Sequence, residues 1–200
     1  LPVMTFVTAR DKGFAIDEGN LATQLRFTSD ILAKGRARYL EGKGQGGAAF
    51  MAGSALWALK LGGWEADANT EVVVEYLLDH QKDLNHWAPP SIRPPSEESP
   101  FSATYFAVEG IRHFATGAQK PRMAARVSSA LEWLEKTEPQ PTEDRVFRLL
   151  ALRAAGGDVE GAVADLIDTQ HENGGWAQLE TMDVDAYATA TALVALHRAG

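Results

Sequence analysis

Two stretches decide the fold. Leu78-Asp79-His80-Gln81 is followed by Trp87, and Ile167-Asp168-Thr169-Gln170 is followed by Gly174-Gly175-Trp176. Both place a tryptophan six residues after the glutamine. Tyr76-Leu77 sits upstream of Gln81, and a partial copy reads Lys34-Gly35, then Tyr39-Leu40 near Gln45. A degenerate copy reads Ala130, then Trp133-Leu134, with Glu138 where glutamine would fall. Fixed-period self-similarity of this kind is the signature of a repeat architecture, in which each unit buries its apolar face against the next.

Around these stretches the chain alternates between two kinds of segment. Five are rich in small and apolar residues and end at glycine: Leu1 to Gly13, Ala48 to Gly63, Phe101 to Gly117, Asp144 to Gly157 and Ala186 to Gly200. Their final glycines lie 50, 54, 40 and 43 positions apart and suit helix C-caps. Between them lie amphipathic segments. Leu21, Leu25, Thr28 and Leu32 step by four, three and four onto one helical face. Similar segments run from Thr70 to Gln81, Arg122 to Thr137 and Val159 to Gln170, with Asn69 and Asp158 placed as N-caps. Ser99-Pro100 fits an N-cap with proline at the first helical position. Only Val72-Val73-Val74 has strand-like content, and helical flanks outweigh it. A helix apolar on all sides is buried, and one with a wet face lies outside it. The pattern predicts an all-α fold of inner–outer helical hairpins, each about 45 residues long.

Composition excludes several functions. With 19 Lys+Arg against 27 Asp+Glu, the net charge of −8 disfavours nucleic acid as a partner. There is no cysteine, which rules out disulfides, thiolate catalysis, Cys-based zinc and Cys-x-x-Cys-His haem attachment. The five histidines form no i, i+4 pair, so no metal is expected, and no cofactor is indicated. No apolar run is long enough for a transmembrane segment. Because the sequence begins and stops at helical patterns, residues 1–200 read as a single-domain piece of a longer chain.

The glutamine–tryptophan pattern resembles the QW repeat of squalene–hopene and oxidosqualene cyclases. There a basic residue, a small residue and an aromatic–aliphatic pair precede Gln-x-x-x-Gly-x-Trp. The resemblance covers essentially the whole chain. Asn85 departs from it at the glycine position, and only Lys34 fills the basic one. It implies that the hairpins form part of an α/α toroid, about four and a half hairpins where closure takes about six. The remaining toroid repeats of the same longer chain are then expected partners. It also implies that Tyr76, Gln81, Trp87, Gln170, Gly174, Gly175 and Trp176 are structural, tying neighbouring hairpins together, and that an apolar, isoprenoid-like small molecule occupies a central cavity.

Cyclases of this kind protonate an alkene with an aspartic acid from Asp-x-Asp-Asp-Thr-Ala. This chain offers Asp183-Val184-Asp185-Ala186, with Thr189-Ala190 as the equivalent Thr-Ala. In that register only Asp185 falls on an acidic position, and Tyr187 and Ala188 take the paired-Asp places. The resemblance makes Asp185 and Asp183 the proton-donor candidates. The other reading of the same residues is a helix cap. The loop from Asp83 to Ser99 is long and proline-stiffened, with Trp87-Ala88-Pro89-Pro90, Arg93-Pro94-Pro95 and Glu97-Glu98. It shares a rim with loops 42–47, 138–142 and 171–185. Arg93, Glu97, Glu98, Asp183, Asp185 and Tyr187 are therefore candidates for one cavity mouth. Three functions stay open: a terpenoid cyclase or ligand-binding relative, a non-catalytic interaction module, and an (α/α)-barrel glycosidase or lyase. The last would pair Glu97 or Glu98 with Asp183 or Asp185 at about 5–10 Å.

Overall fold

The computed structural model describes residues 2–94 and 97–200. Leu1 of the first apolar segment and Pro95 of the proline-rich loop lie outside them. The described residues are all-helical. The inner helices are α1 (Pro2–Asp11), α3 (Ala48–Leu61), α5 (Pro100–Phe114), α7 (Thr142–Ala155) and α9 (Ala186–Ala199). The outer helices are α2 (Glu18–Leu40), α4 (Ala68–Asp79), α6 (Lys120–Lys136) and α8 (Glu160–Asp168). The three valines Val72, Val73 and Val74 lie inside α4, buried. No helix among the described residues is long and apolar enough to cross a membrane.

The inner helices pack in chain order, α1 on α3, α3 on α5, α5 on α7 and α7 on α9. Outside them α2 packs on α4 and α4 on α6, and each outer helix also rests on inner neighbours. Helix α5 sits mid-row and buries nearly every side chain from Phe101 to Ile111. Its approach to α3 rests on missing side chains. A Cβ on Gly53 would stand 2.7 Å from the Ala107 backbone nitrogen, and one on Gly110 would stand 2.9 Å from Leu56 Cβ.

Several ends differ from the sequence reading. Asp67, not Asn69, caps α4: its Oδ1 accepts from the Asn69 and Thr70 backbone N–H groups, and the Thr70 hydroxyl accepts in return from Asp67 N–H. The Asp158 carboxylate accepts from Glu160 N–H, one position before the residue that precedes the helix. Helix α7 starts at Thr142 instead of Asp144, and Gly156, not Gly157, takes the left-handed turn after it. Helix α5 ends through extended Ala115, so Gly117 is no cap. Ser99 caps α5 with Pro100 behind it, as expected.

Candidate functional site

The two clear repeats build one tie each, and the tryptophan and threonine bonds of the two ties match atom for atom. Trp87 is fully buried, and its indole N–H donates to the Leu77 carbonyl at 2.9 Å. Trp176 donates to the Leu166 carbonyl at 2.8 Å. Each tryptophan thus meets a carbonyl near the C-terminus of its outer helix; the Leu166 carbonyl also accepts from the Thr169 hydroxyl at 2.8 Å. Each backbone N–H meets a threonine of the following inner helix, Thr104 at 3.1 Å and Thr189 at 3.0 Å. The glutamines do not cap the helix. The Gln81 side-chain carbonyl accepts from Ala88 N–H, and the Gln170 amide donates to the Gly174 carbonyl, so each braces its loop. Gly174 has φ +84° and Asn85 has φ +61°. The position needs a left-handed backbone, which asparagine tolerates and most residues do not. This explains the departure at Asn85. Gly175 lies under Val184, where a Cβ would stand 2.3 Å from Val184 Cγ1. On the far side Arg126 of α6 lies over the Trp87 ring at 4.1 Å and donates to the His80 carbonyl, joining α4 to α6. The partial copy works differently: Gln45 donates to the Ile31 carbonyl and fills the space over Gly35, while Tyr39 donates to Gln45. Tyr76 stacks on His80 and meets Tyr39 edge-on.

Asp185 is the N-cap of α9. Its Oδ1 accepts from Tyr187 and Ala188 N–H at 2.8 and 3.0 Å, and its Oδ2 from Gln178. The Ala188 bond leads the causes that hold its carboxyl below the usual range, whereas an alkene-protonating acid needs the opposite shift. Asp183 is exposed. Arg93 and Glu97 pair at 3.4 Å and form an isolated antiparallel bridge, and Glu98 is exposed. Among the described residues, no hydrogen bond or ion pair joins Arg93, Glu97 or Glu98 to Asp183 or Asp185.

Tyr187 leads to a group that sequence reasoning missed. Its hydroxyl lies 3.1 Å from both carboxylate oxygens of Glu143, in the first turn of α7. Glu143 is buried. Desolvation pushes its carboxyl up to about 7, against the opposing pull of the Tyr187 hydrogen bond.

The larger cavity lies at the opposite end of the inner helices. It measures about 440 Å³ and is lined by α3, α5, α7 and α9 alone, which places it on the face of the inner row turned away from the outer helices. Trp57, Tyr105, Leu61 and Leu150 supply its apolar wall, and Lys60, Arg112, Arg153, Arg198 and Glu109 its charges. Lys60 is paired with Glu109. Arg112 donates to the Ala155 carbonyl and Arg198 to the Tyr105 hydroxyl. The signal for this site was present in the sequence. Lys60, Arg112, Arg153 and Arg198 each fall in the last turn of an inner helix, 52, 41 and 45 positions apart. Above the cavity an aromatic row continues, with Trp57 against Phe106 at 5.2 Å, Phe106 against Phe50 at 5.4 Å and Phe106 against Phe147 at 5.6 Å.

No protein-family model, curated protein or solved structure matches the chain.

Proposed function

We propose that the chain is a small-molecule-binding unit of the cyclase-like α/α-toroid type, which holds a ligand with an apolar, isoprenoid-sized body and does not transform it. One observation carries this reading: the 440 Å³ cavity walled by Trp57, Tyr105, Leu61 and Leu150 on the inner face. Ligand sites are concave and combine apolar walls with placed polar groups; here five apolar or aromatic residues share the lining with five charged ones. The absence of turnover rests on Asp185, whose carboxylate is committed to the start of α9.

Trp57 makes the reading measurable. Titration with farnesol should perturb tryptophan fluorescence saturably, and Trp57→Phe should remove most of the change. An unsaturable or Trp57-independent response sinks the binding reading. Incubation with squalene, with Asp185→Asn as control, tests the other half. A cyclised product that disappears in the variant would establish a cyclase.

A second reading, an interaction module, draws on the last hairpin. Leu179, Met182, Leu193 and Val194 expose apolar surface there, about half of each side chain. Further toroid repeats would cover such a face.

A further inference from the structure

We infer that the ligand of the inner-face cavity carries an acid group, a carboxylate or phosphate monoester on an apolar body, and that Arg153 and Arg198 receive it with help from Arg112. The inference rests on the binding reading above and adds the chemical class.

The charge balance of the cavity is the first ground. Four cations line it against one carboxylate, in a chain whose net charge is −8. That carboxylate, Glu109, is already held by Lys60. The Arg112 guanidinium has a backbone carbonyl, Arg198 has a phenol oxygen, and Arg153 has no side-chain partner among the described residues. Three guanidinium groups thus converge on one hollow without a counter-ion. Arg153 is exposed and Arg198 half-buried; like charges gathered around one hollow repel, and its concave wall focuses their field on whatever enters.

The simpler explanation is complementarity to the helix dipole, since cations near a helix C-terminus are favourable. Arg112 fits it, reaching the Ala155 carbonyl at the end of α7. Arg198 does not: it turns across to Tyr105 of α5. Lys60 likewise pairs with Glu109 of α5 instead of turning to its own helix end. Dipole complementarity also does not require an aromatic wall. Trp57 and Tyr105 stand at 6.2 Å, edge to face, on the floor of the same hollow. Guanidinium forks match carboxylate and phosphate oxygens in pairs, and an apolar wall beside them selects an acid with a hydrocarbon body over a bare anion.

The inner face also gives the ligand a direction. Tyr187, Thr191, Val194 and Arg198 step by four, three and four along one stripe of α9, and Glu143, Phe147, Leu150 and Ala154 do the same on α7. Eleven residues of helix span about 16 Å from the Glu143–Tyr187 pair to the arginines. The head group sits at the arginine end, and the body lies against Trp57, Tyr105 and Leu150.

The test compares decanoate, decyl phosphate, decanol and inorganic phosphate by calorimetric titration of the full chain. Both acids should bind at least about tenfold more tightly than decanol, and added salt should weaken the acids alone. Arg153→Gln and Arg198→Gln should each reduce acid affinity about tenfold and leave decanol unchanged, with Arg198→Lys restoring part of the loss. Urea unfolding of each variant separates this from lost stability, because the exposed Arg153 side chain has no hydrogen-bond or ion-pair partner among the described residues. Equal affinity for decanol and decanoate overturns the acid inference and leaves the binding reading standing. Binding of inorganic phosphate as tight as decyl phosphate refutes the apolar body. Failure of all four probes to bind overturns both.

Discussion

Trp87 and Thr104 hold each other through the main chain of one and the side chain of the other. The Thr104 hydroxyl accepts from Trp87 N–H at 3.1 Å and donates to the Trp87 carbonyl at the same distance. The pair is wholly buried. Trp176 and Thr189 repeat it at 3.0 and 3.4 Å. In both repeats the loop from an outer helix is thereby fastened to the next inner helix. The repeat motif is therefore larger than its glutamine and tryptophan, and includes a threonine at the fourth or fifth position of the following inner helix.

The clasp predicts a specific loss. Thr104→Val keeps the shape and leaves both the N–H and the carbonyl of Trp87 without a partner in a dry site. An unmatched buried polar group costs about 1–3 kcal/mol. Urea unfolding should show that loss for Thr104→Val and a smaller one for Thr189→Val, whose surroundings are less buried. Equal stability of wild type and Thr104→Val would show that the clasp contributes nothing.

A buried indole N–H that has a partner and a buried phenol that has none should behave oppositely. Trp176→Phe keeps most of the ring but removes one donor to the Leu166 carbonyl, which retains the Thr169 hydroxyl, and should cost about 0.5–1.5 kcal/mol. Trp176→Ala adds a cavity and should cost about 3–5 kcal/mol. Tyr76 is buried with a hydroxyl that has no hydrogen-bond partner among the described residues. Tyr76→Phe should therefore be neutral or stabilising by about 1 kcal/mol. A marked destabilisation by Tyr76→Phe would point to a bound water on that hydroxyl.

The contact between α3 and α5 gives a third test. At Gly53 a methyl group would press on the α5 backbone, which cannot swing aside as a side chain can. Gly53→Ala raises helix propensity by about 1 kcal/mol yet should lower net stability, since overpacking costs about 1–3 kcal/mol and here displaces a whole helix. Gly161→Ala, in α8 with open space around its Cβ, should be stabilising. If both substitutions stabilise equally, the close approach of α3 and α5 is not real.

The helices were legible because each one carries its own period and its own burial. Small apolar residues mark the inner row, and leucines at helical spacing mark α2. Helix ends were less legible. Asp67 and Asn69 are both good caps, and only the capping box with Thr70 decides between them. The structural residues Trp87 and Trp176 were readable as a repeated pair, whereas their partners Thr104 and Thr189 lie across loops of different length. The inner-face cavity was not read from the sequence for a similar reason. Asp183, Asp185, Glu97 and Glu98 drew attention as adjacent carboxylates in sequence, while Arg112, Arg153 and Arg198 are far apart in sequence and converge only when the inner helices stand side by side.

Glu143 sets the last prediction, through pH. Its folded carboxyl titrates at about 7 against an ordinary 4.5, because burial disfavours its charged form. The folded state therefore holds this proton more tightly than the unfolded chain does. The contribution to stability is fully present below about pH 4.5 and is lost as pH rises through about 7, which amounts to up to about 3 kcal/mol. Glu143→Gln cannot ionise, and its amide oxygen still accepts from the Tyr187 hydroxyl. Wild type and variant should match near pH 5, and the variant should be the more stable above about pH 8, by about 2–3 kcal/mol. Tyr187→Phe should widen the difference between the two pH values, since the hydrogen bond it removes favours the charged carboxylate and opposes the upward shift that burial causes. Parallel stability curves for wild type and Glu143→Gln across that range would mean that the carboxylate is ionised throughout and hydrated in the native state.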